Sequence, residues 1–105
     1  MANPQIFSGY IKANAGFSTP APFDGPSGWT VCKNGQTEIY QIRHNLHLVN
    51  PAKQMHITVT SMNAVVLPTV QSMSSDGFVI TTLRSDSGAA DESDLMFIAA
   101  YYPNV

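Results

Sequence analysis

The sequence predicts an all-β domain, an antiparallel β-sandwich or jelly roll of about seven to eight strands. Three observations carry that expectation. Short segments alternate apolar and polar residues with period two. Turn-forming residues punctuate them at intervals of roughly ten residues. No window from Trp29 onward combines an apolar period of about 3.6 residues with capping signals at its ends.

Ile6 to Ala13 reads as the first strand. Phe17 to Gly28 then holds Pro20, Pro22, Gly25, Pro26 and Gly28. Its prolines remove backbone donors, and no helix crosses such a stretch. Residues 1–28 are therefore an N-terminal strand and a Pro/Gly-rich arm, residues 29–105 the sandwich, and the whole is one domain. Trp29 to Lys33 and Gln36 to His44 flank Asn34-Gly35. That dipeptide favours a two-residue type I′ turn, which needs positive φ at both positions. Such a turn sets Trp29 opposite Tyr40, Val31 opposite Glu38 and Cys32 opposite Thr37, with Trp29 and Tyr40 covering the core.

Met55 to Met62 alternates cleanly, with Met55, Ile57 and Val59 on one face and His56, Thr58 and Thr60 on the other. Val65 to Ser72 is a strand whose Pro68 implies a sheet edge or a bulge. Gly77 to Arg84 puts Phe78, Ile80 and Thr82 on one face. Leu95 to Tyr102 closes the set and is apolar on both faces: Leu95, Phe97, Ala99 and Tyr101 on one, Met96, Ile98, Ala100 and Tyr102 on the other. A half-exposed antiparallel strand should alternate. Either the arm or a loop covers the second face, or a neighbouring subunit does. The candidate subunit-interface residues are Met96, Ile98 and Tyr102 on this strand, with Phe17 and Phe23 from the arm.

Bulk properties narrow the function. Charged residues make up 11% of the 105 positions, against roughly 25% in a typical soluble domain. A surface of Ser, Thr, Asn and Gln is easier to bury against other subunits than a charged one, because interface cores are depleted in charge. Lys12, Lys33, Arg43, Lys53 and Arg84 are scattered, which excludes the basic patch that nucleic acid requires. No stretch approaches the ~18 apolar residues of a membrane span. The segment from Met1 to Gln5 has neither a basic nor an apolar leader region, so folding in a cytoplasm is expected. Cys32 is the single cysteine, which leaves no internal disulfide.

The chain offers little catalytic chemistry, and no enzyme is expected. His44 and His47 point to opposite faces if both lie on a strand, and His56 is distant in sequence. No zinc-type spacing accompanies them. Asp86, Asp91, Glu92 and Asp94 lie in a Ser/Gly/Ala loop that matches no EF-hand, and they read as a solvated acidic loop. Gly-x-Ser-x-Gly is absent, and Cys32 reads as a structural thiol. No catalytic, metal or cofactor residue is assigned. Carbohydrate binding stays open, since Trp29, Tyr10, Tyr40, Tyr101 and Tyr102 are available to stack on sugars.

Five segments in order carry a resemblance: Gly-Trp-Thr-Val-Cys-Lys-Asn-Gly (28–35), Tyr-Gln-Ile-Arg-His-Asn-Leu (40–46), Ile-Thr-Val-Thr (57–60), Gly-Phe-Val-Ile-Thr-Thr (77–82) and Asp-Leu-Met-Phe-Ile (94–98). By their order, over about three-quarters of the chain, it resembles the β-sandwich knobs of tail fibres, receptor-binding proteins and head decoration proteins of tailed bacteriophages. The resemblance implies a trimeric jelly roll akin to the tumour-necrosis-factor-like fold, with no catalytic residues. It further implies partners among other virion proteins and a possible host-surface glycan. Fibre knobs usually follow a long shaft, whereas here a short strand and an arm precede the sandwich, which favours a stand-alone surface or decoration protein. The resulting expectation is a homo-oligomeric structural protein of the virion, made in the host cytoplasm. The alternative is a lectin-like carbohydrate-binding module.

Overall fold

The computed structural model describes residues 3–33 and 35–103. The expected all-β sandwich is what forms: eight strands in two antiparallel sheets. They are β1 (Gln5–Ile11), β2 (Ala21–Pro22), β3 (Thr30–Cys32), β4 (Ile39–Arg43), β5 (Met55–Ser61), β6 (Val66–Met73), β7 (Gly77–Arg84) and β8 (Leu95–Tyr101). One sheet has three strands in the order β1-β8-β5, the other five in the order β2-β3-β4-β7-β6. The sequence pattern did not announce the four-residue helix α1 (Pro51–Gln54), which opens on a proline and ends as β5 begins.

Period-two alternation becomes burial directly. Leu95, Phe97 and Ala99 of β8 are buried between the sheets, as are Phe78, Ile80 and Thr82 of β7. Trp29 joins the two layers. Its ring stacks on Phe97 at 5.8 Å and 9° and lies 4.9 Å from Phe7, both from the three-stranded sheet. It also meets Phe78 edge-on at 6.3 Å from the other sheet. Stacked and edge-on contacts at such spacings suit the quadrupoles of aromatic rings. Gly9 makes room for this cluster, because a Cβ there would collide with the rings of Phe97 and Phe23. Pro68 lies on β6, the edge of the five-stranded sheet, and the β6–β7 register shifts between Val70 and Ser72. Edge position and bulge thus both occur where proline costs the ladder least.

The region between Trp29 and His44 departs from expectation. Val31 pairs with Ile42 and Cys32 with Gln41, so neither Val31–Glu38 nor Cys32–Thr37 forms, and the connection runs from residue 33 to 38. The two-residue Asn34-Gly35 turn is therefore not the link, and Asn34 itself lies outside the described residues. The reason is a long-range competitor. Gln36 N–H still donates to the Lys33 carbonyl (3.0 Å), but the return bond of a tight hairpin is lost: Lys33 N–H donates to the Gly16 carbonyl (2.8 Å), and Gly35 N–H donates to the Phe17 carbonyl (2.7 Å). Trp29 consequently stacks near His44, at 5.4 Å, rather than opposite Tyr40.

The arm from Phe17 to Gly28 folds onto its own domain. Its β2 extends the five-stranded sheet beside β3, and Tyr10 N–H donates to the Asp24 carbonyl (2.7 Å), tying the arm to the edge of β1. It leaves the outer face of the three-stranded sheet open.

Candidate assembly face

That outer face is built from three rows set by register. Ile6, Ala100 and His56 form one row, Ser8, Ile98 and Thr58 the next, and Tyr10, Met96 and Thr60 the third. None of the nine is Asp, Glu, Lys or Arg. Ile6 is 62% exposed, Ile98 57% and Met96 46%. Full burial of such a side chain is worth about 1.5–3 kcal/mol, so roughly 1 kcal/mol of transfer free energy per residue stays unrealised here. The hydroxyls of Ser8, Thr58 and Thr60 flank Met96 and Ile98, and together with Tyr10 and Asp24 they enclose a shallow depression of about 590 Å³. Exposed apolar side chains grouped in this way, rimmed by neutral polar groups, make the face a candidate contact surface.

The residues expected at an interface divide between two environments. Met96 and Ile98 lie centrally on the open face. Tyr102 sits just past the end of β8, half-buried, with its ring 5.2 Å from His56. Phe17 is exposed at the start of the arm, away from this face in the hydrogen-bonded contact with Gly35. Phe23 is half-buried and turns inward to pack on Phe97 at 5.9 Å. Ile6 belongs with Met96 and Ile98 and carried no earlier signal, because only the pairing of the first strand with the last brings it there. A smaller exposed apolar pair, Leu67 and Leu83, faces outward from the five-stranded sheet.

Tyr10 is fixed at the end of the face by chemistry below it. Its hydroxyl donates to Asp94, which also accepts from Ala13 N–H at 2.7 Å. The Tyr10 and Ala13 hydrogen bonds hold the Asp94 carboxyl below its ordinary range, and the Asp94 carboxylate pushes the Tyr10 phenol up. Asp94 thus clamps the β1 end to the β8 start.

The other acids lie in a solvent-exposed loop, as expected, and are ion-paired there. Arg84 holds Asp86 (2.8 Å) and Asp91 (3.0 Å), and its guanidinium lowers the Asp86 carboxyl. Glu92 reaches the ammonium of Lys33 at 2.7 Å. Lys33 is 0% exposed and also lies 4.7 Å over the Tyr40 ring. The carboxylates diverge to separate partners instead of converging on a cation. Sequence alone placed Lys33 at a turn flank, and nothing local marks it as the buried partner of Glu92.

The histidines also part. His44 is buried against Trp29 and Phe78, and its Nδ1 accepts from Leu46 N–H at 3.1 Å. Its Nε2 is buried without a partner among the described residues. Desolvation lowers the His44 pKa, against a smaller opposing pull from Asp76. His47 lies outside, in the left-handed region (φ 54°), 2.8 Å from Asp76. His56 is exposed on the open face. Among the described residues no three His, Cys, Asp or Glu side chains gather as a metal set. Cys32 is buried in β3 opposite Gln41.

No protein-family model matches the chain, and the curated proteins and solved structures likewise yield no match.

Proposed function

We propose that the chain is a non-enzymatic structural subunit of a bacteriophage particle. It sits on the surface of the capsid or tail and contacts copies of itself and other virion proteins. The observation that supports self-assembly is the outer face without Asp, Glu, Lys or Arg, with Met96 and Ile98 exposed on its central strand and Ile6 beside them on β1. The one buried cation among the described residues, Lys33, is paired inside the domain, and the Arg84 pairs lie at the loop of 86–91, away from this face. The phage setting and the three-fold order rest on the order of the five segments quoted above.

Carbohydrate recognition is the weaker reading. Trp29 and Tyr40, the aromatic pair best suited to a sugar platform, are buried in the core. The discriminating experiment is sedimentation velocity on the wild type and Ile98→Asp, with a particle-association assay beside it. The wild type is expected to be oligomeric at micromolar concentration and to co-purify with intact particles. Ile98→Asp is expected to be a folded monomer that fails to join them. A monomeric wild type that binds glycans and is absent from particles would replace this reading with the lectin-like one.

A further inference from the structure

We propose that the occupant of the open face is the same face of a second copy, related by a two-fold axis that crosses β8 at Ile98. This rests on the reading of the chain as a self-assembling subunit and specifies its contact.

The register carries the argument. Ile98 is the middle residue of the middle row, with Met96 two positions to one side and Ala100 two to the other. A two-fold axis in the plane of the interface, perpendicular to the strands at Ile98, lays Met96 of each copy over Ala100 of the other. The longest side chain of the central strand then meets the shortest, and Ile98 meets its own symmetry mate. Large against small is how facing sheets interdigitate at core density.

The flanking positions agree. The same axis brings Ser8 onto Ser8 and Thr58 onto Thr58. A hydroxyl is both donor and acceptor, so like meets like without an orphaned group. A charge at any of these positions would repel its mate across the axis, and none is present. Among the described residues, carboxylates occur only at the Tyr10 end of the face, where Asp24 lies beside Tyr10 and Asp94 accepts from its hydroxyl. The axis carries both toward the Ile6 end of the partner, away from their own counterparts.

The area is adequate. Three strands about 4.8 Å apart and seven residues long span roughly 14 by 24 Å, which side-chain relief raises to on the order of 700 Å² per copy. Two copies would bury about 1,400 Å², inside the standard range of stable interfaces. The natural twist of the sheets rotates the corners by about 30° and leaves the central row on the axis.

A charge-swap mixture tests the self-contact, read by sedimentation velocity on the full chain. Ile98→Asp and Ile98→Lys point outward and should fold. Each alone should dissociate at least about a hundredfold more readily than the wild type, because like charges face each other across the axis. Mixed in equal amounts, they should associate at least about tenfold more tightly than either alone, since each meets its opposite. Wild-type assemblies should be even-numbered: a dimer, or three dimers in dihedral symmetry if a three-fold is also present.

A mixture no tighter than its components overturns the two-fold contact, as does a strictly trimeric wild type; both leave the self-assembling reading intact. Variants that keep the wild-type assembly likewise overturn the contact alone. A monomeric wild type overturns both proposals. If either Ile98 variant unfolds, Thr58→Glu and Thr58→Lys, at a fully outward position on the same row, are mixed and judged by the same criteria.

Discussion

The Lys33–Glu92 pair makes an unusual demand on stability. The ammonium is 0% exposed and the carboxylate 43% exposed, at 2.7 Å. Removing the carboxylate leaves a buried cation that, among the described residues, faces the Tyr40 ring 4.7 Å away. Breaking a buried pair from one side typically costs about 3–5 kcal/mol. Water reaches the Glu92 end, so the cost of Glu92→Ala should be smaller, about 2 kcal/mol. Lys33→Met behaves differently. It removes the charge that needed a partner, keeps most of the stem volume, and loses a cation–π contact of roughly 1–2 kcal/mol while sparing the desolvation penalty. A net change within about 1 kcal/mol is expected.

Urea titration followed by Trp29 fluorescence reads both. Trp29 is the only tryptophan and sits inside the aromatic cluster, so unfolding moves its environment from core to water. With an m-value near ~1.5 kcal/mol/M for a chain of this size, Glu92→Ala should lower the midpoint by about 1.3 M. In a Lys33→Met background the same substitution should have almost no effect. Equal losses from Glu92→Ala in both backgrounds would refute the argument, because Glu92 would then act through something other than the buried ammonium.

Three shorter expectations follow from the same structure. Burial lowers the pKa of His44, so the unfolded chain binds its proton first as pH drops. That contribution to stability is complete above about pH 6.5 and is lost below it, with a slope of at most about 1.4 kcal/mol per pH unit; His44→Phe should flatten urea midpoints between pH 6.5 and 4.5, and an unchanged slope would rule His44 out. Gly77→Ala places a Cβ against the Ile42 carbonyl and 3.2 Å from Arg43 Cα, so strand pairing of β4 and β7 must open, and a loss of more than about 2 kcal/mol or an insoluble product is expected. Gly35 has φ +78° with open space around it, so Gly35→Val should cost only backbone strain, about 1–2 kcal/mol, seen as a lowered thermal midpoint with intact circular dichroism.

Legibility in the sequence followed the range of the forces involved. β5 and β7 could be read from alternation, since burial of one face is written into every second residue, and β8 from a continuous apolar run. Pro68 announced an edge for a similarly local reason: it lacks a donor. The link between β3 and β4 departed from expectation because, although Gln36 N–H closes onto the Lys33 carbonyl, the Lys33 and Gly35 amides are drawn to the Gly16 and Phe17 carbonyls and the strands do not pair at the turn. Those partners lie seventeen or eighteen positions away, where no local pattern reaches. The short helix Pro51–Gln54 is a single turn, too brief to display a period.

The candidate assembly face was half legible in the sequence. Met96 and Ile98 could be identified from a strand apolar on both sides. Ile6 could not, because its place beside Ala100 depends on β1 closing against β8 across the whole chain. The acids of the 86–94 loop looked like a soluble surface, yet Asp86, Asp91, Glu92 and Asp94 hold Arg84, Lys33, Tyr10 and the Ala13 amide. Charges that the sequence offered as solvation are used to fasten the last loop to β1, β3 and β7. What remains outside on the three-stranded sheet is hydroxyl, methyl and thioether, with the His56 imidazole at one corner, and a surface without Asp, Glu, Lys or Arg loses less solvation when a second protein surface replaces water. Ion pairing in the last loop and the uncharged outer face of the three-stranded sheet thus lie on different parts of the domain, and the proposed self-contact would use the uncharged one.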